Sequence, residues 1–245
     1  MKGDEVMLLL LVLAVLQVES LSDPTAPMLP LPGLDAMHLQ HQESVRRSQA
    51  AWPFSATDDV LVSQPFVYEQ AYSGFGCNSG NGWMLAEDCY PSTDLAVQEV
   101  DLWMIFSSGV PAAQYNLGFQ GDEGGPDGSF IWQSTEADVT SENTGFSGWG
   151  YDFWYVHISI SEPFALEAGQ AYWFCLQAVS SPATYALGAI NQPAWDEMFY
   201  MSLDNGDTWN SSLNQFGVQL GLFLILEGPA TSLDRTTWGR IKTLH

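Results

Sequence analysis

Carboxylate is the reactive group this chain has most of: 29 Asp and Glu stand against six Lys and Arg. Glu99 and Asp101 are two apart in a run that alternates polar and apolar, so both project from one face of a strand. Paired acids cleave glycosidic bonds when ~5–9 Å separates them across a sugar; side-by-side acids on a strand are also ordinary solvated surface. Five further acids sit in two Gly-rich turns, Asp122, Glu123 and Asp127 in GDEGGPDG, and Asp204 and Asp207 in DNGD. Hard oxygen donors on tight turns suit Ca²⁺, which makes these five candidate ligands of a structural calcium, although neither spacing is that of an EF-hand loop. His157, in YVHISI, is the single histidine between residues 58 and 227, and no nucleophile signature adjoins it. Aromatic side chains are the other resource. Trp149, Tyr151, Trp195 and Trp209 fall at turns, where a core does not need them. A flat ring beside amide or carboxylate partners holds the apolar face of a sugar, so these four are candidate carbohydrate-binding residues, with turn and core packing as the everyday alternative.

The charge is distributed in an unusual way. The formal net charge is −23, and the six cations are Lys2, Arg46, Arg47, Arg235, Arg240 and Lys242, leaving none between Ser48 and Asp234. Such a surface repels phosphate backbones and anionic lipid, which argues against nucleic acid as a partner. It also removes catalytic lysines, arginine clamps and arginine fingers from the region. Added salt or a bound divalent cation would relieve the self-repulsion. Of the three cysteines, Cys77 and Cys89 bracket a Gly/Asn-rich segment short enough to close a loop, and a disulfide between them is expected to add ~3 kcal/mol. Cys175 is left over as a small buried hydrophobe.

These residues need elements to position them. The apolar run Val6–Leu16 is too short for a comfortable membrane span and reads as the core of a signal peptide over 1–20, with a buried helix as the alternative. No second run of spanning length follows, so the mature chain is expected to be soluble, without a membrane span, and extracellular or at the cell surface. Residues 21–57 are rich in proline and read as a linker or pro-segment, in which Arg46-Arg47 is either a processing site or two solvated charges. Residues 58–227 carry the fold. Strand-like runs recur at Gln64–Tyr68, Leu95–Phe106, Gln114–Gln120, Ser129–Gln133, Asp152–Ile160, Ala171–Val179, Tyr185–Asn191, Met198–Ser202 and Phe216–Glu227. Ala171–Val179 is apolar on both faces, interrupted only by Gln177, and therefore reads as a central strand. With no convincing helical period, the expectation is an all-β fold, an antiparallel β-sandwich of jelly-roll type. Residues 228–245 form a separate basic tail.

Ser202–Trp209, SLDNGDTW, resembles the Asp-box of sialidases and other secreted β proteins residue for residue over its eight positions. Sialidases carry several copies and an arginine cluster; this region has one copy and no arginine, so the resemblance implies a hairpin turn rather than the activity. Glu99-Val100-Asp101 resembles the start of the E-x-D-x-x-E box of jelly-roll glucanases, but Met104 stands at the final acid. NLGFQGDEGGPDGSFIWQ and EAGQAYWFCL are similar to hairpin and strand motifs of secreted bacterial surface domains, most of which lack an assigned activity. The tail TSLDRTTWGRIKTLH resembles short sorting tails of exported bacterial proteins; its Trp238, Ile241 and Leu244 also suit a short docked helix. The reading that results is an exported, non-catalytic binding or structural module with glycan as ligand. The competing class is an acid hydrolase, a glycosidase or carboxyl peptidase, using a carboxylate pair the sequence does not identify.

Overall fold

A computed structural model describes residues 59–64, 66–179, 184–190, 199–216 and 219–229. The expected signal peptide, the Pro-rich segment, Trp195 and residues 230–245 of the tail lie outside the described residues. The fold is an all-β, antiparallel sandwich of the jelly-roll type. Its strands are β1 (Asp59–Gln64), β2 (Ala71–Gly76), β3 (Met84–Cys89), β4 (Leu95–Phe106), β5 (Tyr115–Asp122), β6 (Pro126–Glu136) and β7 (Val139–Gly148). They continue as β8 (Tyr151–Leu166), β9 (Tyr172–Ala178), β10 (Thr184–Ile190), β11 (Tyr200–Ser202), β12 (Asn210–Ser211), β13 (Leu220–Leu222) and β14 (Leu224–Gly228). One short helix, α1 (Ser212–Phe216), separates β12 from β13. The chain alternates between an eight-stranded sheet centred on β4 and a six-stranded sheet ordered β12-β11-β3-β9-β5-β6. The first and last strands pair with each other, β1 on β14.

Period-2 patterning builds the interior. Val100, Leu102, Met104 and Phe106 of β4 meet Tyr172, Phe174, Leu176 and Ala178 of β9 in the main core. Phe119 links the layers, stacked on Phe164 with ring centres 5.1 Å apart and tilted against Phe174 at 5.4 Å. Phe119 and Phe174, both fully buried, contribute ~2–3 kcal/mol each by area. β9 is buried along its whole length, as a central strand apolar on both faces should be. Its other face carries a second cluster, Met84, Ala86, Trp173 and Cys175, with Phe130, Tyr200 and Trp209 packed against it. β4 is likewise buried on both faces from Val100 to Phe106, where Phe66 stacks on Trp103 at 6.1 Å.

Where the structure departs from the sequence reading, local chemistry explains it. Gln64–Tyr68 is not one strand; β1 stops at Gln64 and a 3-10 turn begins at Tyr68. Phe216–Glu227 breaks at Phe223, whose N–H donates to the Leu187 carbonyl at 3.0 Å, so β13 pairs with β10 and β14 with β1 and β4. The expected Cys77–Cys89 disulfide is absent, and all three cysteines are free and buried. The segment between them is no loose loop, since Met84–Cys89 is strand β3, hydrogen-bonded to β9. Cys89 stands opposite Tyr172 at one end of β9, while Cys77 accepts the N–H of Ala178 at the other. Six residue-to-residue steps of strand separate those ends, ~20 Å, against the ~4.4–6.8 Å between Cα atoms that a disulfide tolerates. Burial instead pushes the Cys77 thiol up to about 12 and those of Cys89 and Cys175 well above their usual value.

The β5–β6 hairpin contains the irregularity that matters for the outer face. Phe119 pairs with Trp132 but Gln120 with Phe130, so Ile131 bulges out and the faces exchange. Trp132 therefore joins the main core and Phe130 the outer cluster. Phe130 lies flat over Gly118, where a Cβ would stand 2.6 Å from its ring. Gly118→Val is expected to lift Phe130 and cost ~1–3 kcal/mol, read as a fall in the urea midpoint; an unchanged midpoint would mean that Phe130 does not hold this face closed.

Candidate functional site

The site grows from the one polar residue on the outer face of β9. Gln177 is buried, and a buried amide must find partners for both its ends. Its Nε2 donates to the Trp83 carbonyl at 3.3 Å and to Asn205 Oδ1 at 3.0 Å, while its Oε1 accepts from Asn116 Nδ2 at 2.9 Å. Asn116 Oδ1 in turn accepts from Thr135 Oγ1 at 2.8 Å. The result is a row of side chains from β6, β5, β9 and the 203–209 turn, each donating to the next. It floors a groove of about 610 Å³ whose walls include Gln133, Ser134 and the Phe130 ring.

The turn that supplies Asn205 is the Asp-box, and its residues are occupied by holding it shut. Ser202 Oγ accepts from Gly206 N at 2.7 Å and donates to Asp204 Oδ1 at 2.8 Å. Asp204 also accepts from Thr208 N at 2.9 Å and Thr208 Oγ1 at 2.6 Å. These hydrogen bonds, those from Thr208 first, hold the Asp204 carboxyl below its ordinary value. Asn205 (φ 60°) and Gly206 (φ 94°) take the left-handed conformation that tightens the bend. Asn205 N donates to the Gly82 carbonyl at 2.7 Å, and a Cβ on Gly206 would meet Met84 and Phe130 at 3.3–3.4 Å. The turn is thus laid across the outside of the sheet and partitions its face.

Beyond the turn lies a second cleft, about 350 Å³, between the tips of the β5–β6 hairpin and the Asp-box. Glu123, Asp127 and Asp207 line it with Tyr200 and Trp209. Tyr200 meets Trp173 edge-on at 4.8 Å and donates its hydroxyl to the Gly124 carbonyl at 3.2 Å. The candidate calcium ligands therefore come together here in part. Asp122 Oδ1 is engaged, accepting from Gly124 N and Gly125 N of its own turn and from Trp173 Nε1, each at 3.0 Å. Asp127 accepts from Ser129 N at 2.7 Å, and Asp204 faces into its own loop. Among the described residues, no group of three or more His, Cys, Asp or Glu side chains is arranged to hold a metal ion.

The candidate aromatics do not share a face. Trp209 belongs to this outer cluster. Trp149 and Tyr151 pack on the main core at the β7–β8 hairpin instead. Trp149 (φ 54°) and Gly150 (φ 84°) form that two-residue turn with both dihedrals positive. A bulky residue rarely accepts this conformation; packing on Phe153, with ring centres 5.5 Å apart, holds Trp149 in it. Sequence reasoning missed Asn116, Gln133, Thr135, Gln177, Asn205 and Tyr200. The available signal was Gln177, a lone amide in an apolar strand face.

A separate cluster lies on the outer face of the other sheet. Asp101, buried on β4, accepts from Tyr155 at 2.6 Å and lies 2.8 Å from His157 Nδ1; Ser159 Oγ is 3.4 Å from His157 Nε2. The atom order is that of a serine-hydrolase relay, although no nucleophile signature adjoins His157 in the sequence. The N–H of Ser159 is nevertheless committed to the Asp138 carbonyl at 3.0 Å and so is not free to serve a developing oxyanion. The cluster's physical consequence is in titration. The Asp101 hydrogen bond, with the charges of Asp101, Glu99 and Glu227, raises His157 above 6.5 against the opposing effect of burial. Burial, then Asp101, raises Tyr155 as well.

Among the described residues, no helix is long and apolar enough to cross a membrane. Comparison with known proteins finds no family model that matches the chain and no curated protein that matches it.

Two measurements follow from these geometries. A histidine raised on folding stabilises fully below its unfolded value near 6.5, and that contribution disappears as pH rises through the raised folded value. Denaturant midpoints should therefore decline from pH 6 to 8, and His157→Gln should flatten this slope; an equal slope in the variant would remove His157 as its source. Melting temperature should rise equally in CaCl₂ and in NaCl of matched ionic strength, through screening of the acidic surface. An extra rise in Ca²⁺ that EDTA abolishes would instead establish a calcium site.

Proposed function

We propose that the protein is an exported, non-catalytic binding module whose ligand is a glycan, held on the outer face of the six-stranded sheet. One observation carries the reading: the Asp-box turn crosses that face with an amide-floored groove on one side and a carboxylate–aromatic cleft on the other. Sugars are bound by polar groups fixed in direction beside an apolar ring face, and both requirements meet here, in the amide row with Phe130 and in the acids with Tyr200 and Trp209. The apolar run near the N-terminus and the similarity to secreted bacterial surface domains support export and a place at, or release from, a cell surface. A glycosidase needs two acids facing one another across the sugar, and Glu99 and Asp101 lie side by side on one strand, with Asp101 already engaged by Tyr155 and His157.

The full chain is expected to retain on an array of immobilised oligosaccharides. Asp204→Ala releases the turn from Ser202 and Thr208, and it should abolish retention while the far-ultraviolet circular dichroism stays unchanged. Absence of retention by the parent chain across neutral and anionic sugars would refute the reading.

A further inference from the structure

Resting on that reading, we infer that the ligand is an uncharged oligosaccharide and that the amide groove, rather than the carboxylate–aromatic cleft, is where it sits. The direction of the hydrogen bonds carries the first step. Thr135 donates to Asn116, Asn116 to Gln177 and Gln177 to Asn205, so every amide is oriented by its upstream neighbour. Turning over any one of them would set like against like, acceptor on acceptor at Asn116 and donor on donor at Gln177 or Asn205, so the row is fixed before a ligand arrives. It has a donor end, the Nδ2 of exposed Asn205, and an acceptor end, the hydroxyl oxygen of exposed Thr135. The partly buried Phe130 ring lines the same groove. A hydroxylated ring offers what this arrangement lacks: an oxygen to accept at one end, a hydroxyl to donate at the other, and C–H groups for the aromatic surface.

Charge carries the second step. A uronate, sulfate or sialate needs a cation, and no lysine or arginine lies between Ser48 and Asp234. The adjacent cleft adds Glu123, Asp127 and Asp207 to the negative field. An anionic sugar would enter against that field with nothing to pair its charge. The cleft itself is the weaker seat, because Tyr200 already spends its hydroxyl on Gly124 and Asp127 one carboxylate oxygen on Ser129. Neutral amides discriminate by hydrogen-bond direction alone, and binding through them requires no metal.

The test is an array of neutral hexose and N-acetylhexosamine oligosaccharides beside uronate, sulfated and sialylated ones, in EDTA. It is followed by calorimetry on the best binder with Asn205→Ala, Thr135→Val and Trp209→Ala. The expected result is binding confined to neutral chains, weakened about tenfold or more by Asn205→Ala and Thr135→Val, and changed less than about twofold by Trp209→Ala. Thr135 is exposed at the end of the row, so Thr135→Val should leave the melting temperature unaltered, whereas Asn205→Ala, at φ 60° and on buried Gln177, is expected to lower it, and calorimetry is run well below both midpoints. Binding only to anionic chains, or loss in Trp209→Ala with the amide-row variants intact, would overturn this inference and leave glycan binding standing. Binding to no sugar at all would remove both.

Discussion

A buried amide on a central strand is the constraint from which the outer face of this sandwich is built. Gln177 cannot be hydrated where it lies, and leaving either end of its amide unpaired would cost several times what the hydrogen bonds return. Its satisfaction draws in a backbone carbonyl from the segment before β3, an asparagine from β5 and an asparagine from the Asp-box turn. Three pieces of chain distant in sequence are thereby tied to one side chain. An apolar residue in its place would pack, but the turn would then be placed only by the Asn205 N–H on the Gly82 carbonyl and the approach of Gly206 to Met84 and Phe130.

The rest of that face follows from close approach. Gly118 lets Phe130 lie against the sheet, and Gly206 lets the turn backbone descend onto Met84 and the same ring. The bulge at Ile131 makes this possible, by sending Trp132 to the interior and Phe130 outward from a strand whose alternation would otherwise place both on one side. A sheet of this kind ordinarily has one dry face and one wet face. Here the wet face is partly roofed by a single turn, and the grooves are the space left at the edges of the roof.

Much of the architecture was legible. The burial of β9 on both faces, the alternation in β4 and the absence of long helices among the described residues are all written in residue periodicity, which is what sheet formation responds to. What was not legible depended on partners distant in sequence. Strand β3, with Glu87 and Asp88 near its end, reads as a loop until Glu87 is seen buried, accepting the Leu222 N–H at 2.9 Å. The cysteines suggested a loop closure because their sequence spacing is short, whereas an extended strand between them carries them apart. The Asp-box was readable as a turn, since its contacts are local. Its docking on Gln177 was not, because neither residue announces the other. The acids and aromatics drew attention by type, yet Trp149 and Tyr151 serve the core, and the groove is floored by amides that composition does not advertise.

The placement of reactive groups gives the folded region an unusual chemical blankness. It offers no lysine amine to acylating or cross-linking reagents, and trypsin finds no bond to cut between Arg47 and Arg235, folded or not. Its three thiols are buried, with burial holding each in the unreactive protonated form. Alkylation of those thiols is thus silent in the native state and begins only when the sandwich opens. The rate at which iodoacetamide is taken up becomes a direct clock of unfolding, one the protein carries without any engineered label.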